Sequence, residues 1–206
     1  MNRVFKNIFN KTTGMYVVAS ENARGTSKSS CSRNINLAIA TLLCCGVSNT
    51  HAVILENNFV KVSVANDGTL GSGIVNDIGM QYDAKGEGNF TFDYLTPGTP
   101  WQMFSVFTNE TGLQRNVNDD PNGEYGRDNI LTTSSPSEPT GDKTKGEQTT
   151  VWEGEYKDNK NKVYYTIQHE YGIDRTLHGV AVETTITAKQ DLTDVKFATA
   201  IDPDTN

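Results

Sequence analysis

Residues 163–188 read VYYTIQHEYGIDRTLHGVAVETTITA, and this stretch decides the fold class. Apolar side chains alternate with polar ones over 163–170 and again over 180–188, and a polar turn separates the two runs. A repeat of two residues places successive side chains on opposite faces of a β-strand. The stretch therefore predicts two antiparallel strands that share one apolar face.

The same alternation occurs on both sides of this stretch. It begins at Val60, Val62 and Val64, before a turn at 66–68, and it returns over 195–201. Polar clusters at 158–161 and 190–191 supply short connections, and no helical apolar period is present. The chain is therefore predicted to be all-β, with an antiparallel β-sandwich domain over 53–206 that follows a cleaved, partly helical N-terminal leader.

The segment 109–150 interrupts the pattern with about 40 mostly polar residues. Besides Leu113, Val117, Ile130 and Leu131 it contains almost no apolar residue. Loops longer than about 15 residues without structure of their own are either functional or disordered. The Ser, Thr, Pro, Gly and Asp content of the segment predicts a disordered polar loop on the domain surface.

The first 52 residues have the composition of an export leader. Six basic residues stand against one acid, and a 13-residue apolar stretch runs from Ile35 to Val47. Thr50 and Ala52 are small residues at the two positions that specify cleavage, so the arrangement is that of a cleaved signal peptide. Because a membrane-spanning helix needs roughly 20 apolar residues, a retained anchor is less favoured. We predict a signal peptide over 31–52 that is cut between Ala52 and Val53.

A second pattern precedes the signal peptide, over residues 1–30. It places aromatic–Asn and aromatic–Val pairs, basic residues and small residues at a fixed spacing: Asn2, Phe5, Lys6, Phe9, Asn10, Gly14, Tyr16, Val17, Ser20, Glu21, Ala23, Arg24, Gly25, Lys28 and Ser29. In these residues the chain resembles the extended signal peptide region of type V secretion proteins, which include the autotransporters, trimeric adhesins and two-partner exoproteins of Gram-negative bacteria. The family often has Trp where Phe9 and Tyr16 stand here.

The resemblance implies a route and two kinds of partner. The leader would engage the inner-membrane export machinery, and an outer-membrane translocator would carry the mature part to the cell surface, the outer membrane or the medium. A translocator barrel needs many alternating segments of about ten residues, which 53–206 does not supply. We therefore expect the barrel in a longer form of this protein, of which this chain is the front part or a remnant, or in a separate partner.

Charge and cysteine content bound the function of the mature part. The whole chain carries a net charge of −7, and removal of the leader with its five net positive charges leaves −12 over 53–206. So acidic a domain repels phosphate backbones, which excludes nucleic acid as an expected partner. All three cysteines lie in the leader, so the mature part has no disulfide. This suits a chain that crosses a pore unfolded, and equally a domain large enough not to need disulfides.

Candidate chemical sites are few. The sequence has no nucleophile, zinc-protease, phosphate-loop or dinucleotide motif, so we expect neither an enzyme nor a cofactor. His169 lies on an apolar strand face, which favours a core residue, and His178 lies in a polar turn, which favours a solvated one. The oxygen-bearing residues Asp202, Asp204 and Asn206 resemble the opening of a calcium loop, but an acidic turn that ends a strand fits them better because no Gly or bidentate Glu follows.

The sequence leaves three hypotheses open for the function of the mature part. The leading hypothesis is a non-catalytic adhesin or binding domain whose polar loops contact a host or neighbouring surface, since binding residues concentrate on loops. The first alternative is a carbohydrate-binding or carbohydrate-active sandwich, which would use the rings of Tyr82, Tyr94, Trp101 and Trp152 if they are exposed. The second alternative is a structural spacer within a larger surface protein.

Export should yield a product that begins at Val53, because the apolar stretch and the small residues at Thr50 and Ala52 direct signal peptidase to that bond. N-terminal sequencing of material recovered from the periplasm or the cell surface checks this expectation. A membrane-bound product that still begins at Met1 would contradict it.

Overall fold

The computed structural model describes residues 4–10, 15–20, 52–72, 78–95, 101–118 and 128–203. Over these ranges the chain forms thirteen β-strands, one 3-10 turn at Lys143–Lys145 and no α-helix. The strands are β1 (Val4–Asn10), β2 (Met15–Ser20), β3 (Val53–Glu56), β4 (Val60–Val64), β5 (Met80–Tyr82), β6 (Trp101–Thr108), β7 (Gly112–Val117), β8 (Leu131–Ser134), β9 (Thr140–Asp142), β10 (Glu147–Lys157), β11 (Val163–Ile173), β12 (Ala181–Ala188) and β13 (Lys196–Asp202).

The strands form three antiparallel sheets around one core. The largest sheet has the order β2-β1-β12-β11-β10-β8, with β9 also paired to β10. The two smaller sheets have the orders β13-β6-β7 and β3-β4-β5. Buried apolar residues from all three sheets form a single cluster, in which Phe104 of β6 meets Trp152 of β10 edge to face at a centroid distance of 5.6 Å. The predicted all-β, antiparallel fold class is confirmed.

The alternating runs in the sequence became strands with the expected inner faces. Val60, Val62 and Val64 of β4 are buried, as are Tyr165 and Ile167 of β11. The run over 195–201 is β13, but its apolar residues are not covered to the same degree. Phe197 is half-buried, and 47% of Ile201 is exposed. This strand therefore borders a partly open part of the core.

The leader forms a hairpin of β1 and β2 within its described ranges. β1 pairs with β12, with Phe5 opposite Ile186. The aromatic and β-branched side chains of these residues favour strands, and the edge of β12 offers free backbone groups. The prediction of a partly helical leader stays a prediction, because most of the leader lies outside the described residues. Residues 21–51, with the apolar stretch, lie outside the described residues. Val53 begins β3, so cleavage there removes the hairpin and leaves the core strands intact.

The prediction of a disordered loop over 109–150 is wrong for its described residues. The segment contains β7, β8, β9 and the 3-10 turn, and it leads into β10. Polar side chains order it through hydrogen bonds to the main chain. The buried amide of Asn116 donates to the carbonyl oxygens of Asp67 (2.8 Å) and Ile130 (2.9 Å), and its oxygen accepts from the Ile130 N–H (3.1 Å). Hydrogen bonding thus replaces the missing apolar contacts.

The turn Asn66-Asp67-Gly68, which follows β4, joins the three sheets through its carbonyl oxygens. The oxygen of Asn66 accepts from Trp152 Nε1 (3.0 Å) and from the Thr132 hydroxyl (2.8 Å). The oxygen of Asp67 accepts from Asn116, and that of Gly68 accepts from the Tyr171 hydroxyl. The donors come from β7, β8, β10 and β11. One turn therefore receives side-chain bonds from four strands.

Gly68 is required at this turn for two separate reasons. Its φ of +78° lies in the left-handed region that favours glycine, and a Cβ added there would come within 2.4 to 2.6 Å of the Trp152 ring carbons. Trp152 is fully buried and cannot move away without opening the core. Gly88 has a similar φ of +76° with nothing within 4 Å of its added Cβ, so it separates the two effects.

Gly68→Ala should therefore lower the free energy of unfolding by about 2–5 kcal/mol, through overpacking and the unfavourable φ together. Gly88→Ala should cost only about 1 kcal/mol, through φ alone. Urea unfolding of both variants and the parent measures the difference. Equal losses in the two variants would show that Gly68 does not pack closely on Trp152.

The Asp67 side chain gives the same turn a dependence on pH. Its carboxylate accepts from the N–H (2.9 Å) and hydroxyl (2.5 Å) of Thr69. Burial nevertheless raises the pKa of Asp67 from 3.8 to about 6, and the nearby charge of Asp128 adds to the increase. The folded chain thus holds a proton on Asp67 that the unfolded chain releases at lower pH.

The stabilising contribution of this protonation is complete below about pH 4 and is lost as pH rises through about 6. Asp67→Asn should keep the neutral form at every pH, so the variant should gain about 1–3 kcal/mol on the parent between pH 4 and pH 7.5. Urea unfolding at both pH values checks this. Asp158→Asn should not gain on the parent in this way, because hydrogen bonds from Lys162 and Lys160 lower the pKa of Asp158. A constant difference between Asp67→Asn and the parent would contradict the account.

Candidate functional site

Three turns from distant parts of the chain meet at one end of the domain and form a polar cleft. They are the turn after β3, the 3-10 turn 143–145, and the turn after β11. The cleft has a volume of about 290 Å³. We call it the three-turn cleft, and its lining residues are Glu56, Asn57, Asn58, Lys143, Thr144, Lys145, Gly146 and Arg175.

Asn57 connects the turns. Its buried amide donates to the carbonyl oxygens of Asp174 (2.6 Å) and Leu177 (3.0 Å), while its oxygen accepts from the Phe59 and Val60 N–H groups (2.8 and 2.7 Å). Gly146 closes the third side. An added Cβ there would lie 3.1 Å from the Cβ of Asn57 and 3.4 Å from the Cα of Arg175. The three turns are thus fixed against one another.

Two of these turns repeat the same local chemistry. In Asp142-Lys143-Thr144 the carboxylate accepts from the Thr144 N–H (3.0 Å) and hydroxyl (2.6 Å). In 174–176, which reads Asp-Arg-Thr, the carboxylate accepts from the Thr176 N–H and hydroxyl, both at 2.6 Å. These bonds, above all those from the Thr hydroxyls, lower the pKa of both carboxyls. Each turn carries a basic residue at its centre.

The cationic groups of the cleft differ in how far they are neutralised. Lys145 Nζ lies 3.0 Å from Asp142, and Glu56 lies 3.6 Å from Lys61. Lys143 and Arg175, the central residues of the two turns, have no ion-pair partner among the described residues. Two cations without an ion-pair partner, Lys143 and Arg175, are groups that can bind an anion, although the charge of Arg175 also lowers the pKa of Asp174.

Aromatic rings adjoin the cleft. Phe59 stacks on His178 with a centroid distance of 3.8 Å, and His178 Nδ1 lies 3.1 Å from the Tyr82 hydroxyl. Tyr94 meets Tyr82 edge to face at 6.4 Å. Phe59, Tyr82 and Tyr94 are half-buried, and His178 is exposed. His178 is therefore a solvent-facing residue in a turn, as predicted, but it is held by two rings.

The prediction of four exposed rings holds only in part. Tyr82 and Tyr94 are half-buried, so part of each ring is exposed. Trp152 is fully buried, because its side chain lies on the inner face of β10 and bonds to the turn at 66–68. The side chain of Trp101 lies outside the described residues. Trp152 therefore cannot contact a sugar at the domain surface.

A second site is an apolar cavity of about 270 Å³ between β11 and β12 on one side and β6 and β13 on the other. Its lining includes Phe104, His169, Tyr171, Val182, Phe197 and Ile201. The ring of His169 packs on Phe104 at 4.5 Å and stacks on Trp152 at 5.3 Å. Its Nδ1 lies 2.9 Å from the Thr184 hydroxyl. His169 is thus a core residue, as its strand face predicted.

Burial lowers the pKa of His169 to about 3, so the ring is neutral at physiological pH. Its Nε2 is buried and has no hydrogen-bond partner among the described residues. The sequence marked His169 only by its strand face. It could not show that four rings, those of Phe104, Trp152, Tyr171 and Phe197, and one hydroxyl surround it.

The described ranges offer few groups of side chains that could bind a metal ion such as calcium. There, no group of three or more His, Cys, Asp or Glu side chains could hold a metal ion. Asp202 ends β13 and is exposed, whereas Asp204 and Asn206 lie outside the described residues. The calcium hypothesis for these three residues stays a prediction.

Comparison with known proteins identifies the leader. Residues 1–48 match the family model described as the Extended Signal Peptide of Type V secretion system. This confirms the resemblance found over residues 1–30, and it assigns the chain to export by the type V route. No curated protein and no solved structure matches the chain. Within the described ranges, no helix has the length and apolar character needed to cross a membrane.

Proposed function

We propose that residues 53–206 form a non-catalytic adhesin-type binding domain, exported by the type V route, and that the three-turn cleft is its contact site for an anionic group on a glycan-bearing surface. The observation that carries this proposal is the pair of unpaired cations, Lys143 and Arg175, that fixed turns bring together in an otherwise acidic domain. Residues that bind partners are commonly presented by loops on a rigid β scaffold, as these two are.

The chemistry of the cleft favours a carboxylate or sulfate group. The guanidinium of Arg175 can pair with such a group through two parallel hydrogen bonds, and Lys143 adds a compact point charge. His178, which is exposed and stacks on Phe59 close to Arg175 in the chain, offers a ring to the flat face of a sugar. The ligand class that combines both features is an acidic glycan.

A catalytic role has less support from the same geometry. The carboxylates nearest the cleft, Asp142 and Asp174, accept hydrogen bonds within their own turns, and their pKa values lie below the usual range. A carboxyl group that acts as a general acid near neutral pH needs a raised pKa instead. Binding without bond cleavage is therefore the function that we propose.

The alternative of a structural spacer predicts no ligand. A glycan array that contains sulfated, uronic and neutral members separates the two hypotheses. The exported protein should bind acidic members, and binding should weaken as salt rises because the cleft is open to solvent. Binding to no member would favour the spacer, and binding to neutral members alone would remove the role of the cations.

The double variant Lys143→Glu, Arg175→Glu should weaken binding to acidic glycans about tenfold or more, since it removes two charge-assisted contacts and adds repulsion. The matched control is Lys160→Glu, Lys189→Glu, which changes the net charge equally at exposed positions in other turns. Titration of immobilised glycan and adhesion of cells that display the protein provide the readouts. An equal loss in both variants would show that net charge, rather than the cleft, governs binding.

A further inference from the structure

The edge of β12 that faces away from β11 is covered, among the described strands, by the leader alone. β11 pairs with β12 along the whole length of β12. On the other side, β1 pairs with it through residues 4–6, which lie opposite residues 187–185. Cleavage before Val53 removes β1, and no other described strand pairs with this side of β12. In the exported domain β12 is therefore an edge strand of the large sheet.

This edge lacks the features that usually keep a sheet edge from pairing with another strand. Natural edge strands carry Pro or Lys, are short, or are interrupted by a bulge. The opposite edge of the sheet follows this rule, because β8 has four residues and its pairing with β10 shifts register. In contrast, β12 has eight residues, which read AVETTITA, and it pairs with β11 in one register throughout. Its outer N–H and C=O groups can therefore bind a further strand.

Charge indicates which kind of strand suits this edge. Glu183 of β12 lies directly opposite Glu170 of β11, and both residues are exposed. Like charges at directly opposite positions destabilise a sheet, so a basic residue on an added strand would offset their repulsion. The register of β1 places Lys6 opposite Thr185, two positions from Glu183. A basic strand therefore suits the edge better than an acidic or a neutral one.

The leader supplies such a strand in a form that is ready to pair. β1 reads VFKNIFN and β2 reads MYVVAS, and the aromatic and β-branched residues in both favour strands. The two strands pair with each other over six residues. A two-stranded hairpin is only marginally stable alone, whereas a third strand supports it. The hairpin therefore gains order from β12, and β12 gains a partner.

A second copy of the domain fits the edge less well than the leader does. Its own β12 would bring a further Glu183 to an edge that is already acidic. Two domains of charge −12 also repel each other, whereas the leader carries five net positive charges. Charge complementarity thus favours the leader as the occupant.

We propose that the edge of β12 is a docking surface for a basic extended segment, and that its occupant is the chain's own leader, whose hairpin binds there as two added strands. The leader thus has a second partner besides the export machinery, namely the domain that follows it. In the full chain the leader is covered while the domain is folded, so early folding withholds it from export. The surface shares no residue with the three-turn cleft.

Two synthetic peptides of residues 1–20 test the docking: the natural sequence, and a variant with Val4→Pro and Phe5→Pro. Neighbouring N–H groups of a strand point to opposite sides, so the two prolines remove one bond to β12 whichever residue donates it. The charge of the two peptides is equal. Fluorescence anisotropy of the labelled peptides, titrated with the exported protein, should show that the natural peptide binds about tenfold more tightly or better.

Two results of this titration would overturn the proposal. One is equal affinity for the two peptides, because main-chain pairing with β12 would then contribute nothing. The other is a stable dimer of the exported protein that binds neither peptide, because a second copy of the domain would then hold the edge.

Two variants of the exported protein locate the surface. Glu183→Lys should weaken binding of the natural peptide about three- to tenfold, since it replaces attraction by repulsion at the edge. The matched control is Glu153→Lys, which makes the same change in charge at an exposed position of β10, two strands from the edge, and should leave the affinity unchanged. An equal loss in both variants would show that net charge governs binding and would overturn the assignment to β12.

Hydrogen exchange puts the same question to the unsubstituted chain. The amides of residues 185–187 that do not bond to β11 should exchange about tenfold more slowly, or better, in the full chain purified before export than in the exported protein. The amides of β1 should be protected together with them, and the natural peptide should restore the protection to the exported protein. Equal exchange of residues 185–187 with and without the leader would overturn the proposal, whatever the variants do.

Discussion

The structure depends on one constraint, the close approach of the turn Asn66-Asp67-Gly68 to the ring of Trp152. Only glycine fits at position 68, and the three carbonyl oxygens of the turn accept side-chain hydrogen bonds from four strands. These contacts join a small sheet to the two others around it. They also supply one partner of Trp152 Nε1, a buried donor whose other partner is the Thr132 hydroxyl (3.2 Å). The turn at 66–68, which the sequence predicts as a simple connection between strands, thus joins the three sheets.

The same local chemistry recurs where the domain presents its candidate site. The pattern Asp-x-Thr, in which the carboxylate accepts from the N–H and hydroxyl of the Thr, occurs at 67–69, 142–144 and 174–176. At 67–69 the central residue is the glycine that packs on the core. At the other two sites it is basic, and Asn57 donates hydrogen bonds to the turn at 174–177 while it lies against Gly146, which ends the other turn. One turn type therefore serves the core in one place and displays cations in two others.

Sequence reasoning succeeded where information is local. The period of two in residues 163–188 predicted β11 and β12 with their inner faces, and the spacing of aromatic and basic residues identified the leader. It failed for 109–150, because the order of that segment comes from bonds such as those of Asn116 to residues 14 and 49 positions away. The cleft was missed for the same reason, since Asn57 and Asp174 are 117 positions apart. The repeated Asp-basic-Thr pattern is the signal that could have marked it.

Native-state hydrogen–deuterium exchange can show whether hydrogen bonds to the 66–68 turn fold the polar segment into the core. The amide of Ile130, which donates to the Asn116 side chain, and the amide of Val151, which donates to the Ser137 hydroxyl, lie in or directly after that segment. Opening of the Ile130 amide should require the same free energy as the centre of β11, because release of Asn116 frees the turn and exposes Trp152. Exchange of Ile130 at the rate of an unstructured peptide, while β11 stays protected, would contradict the account.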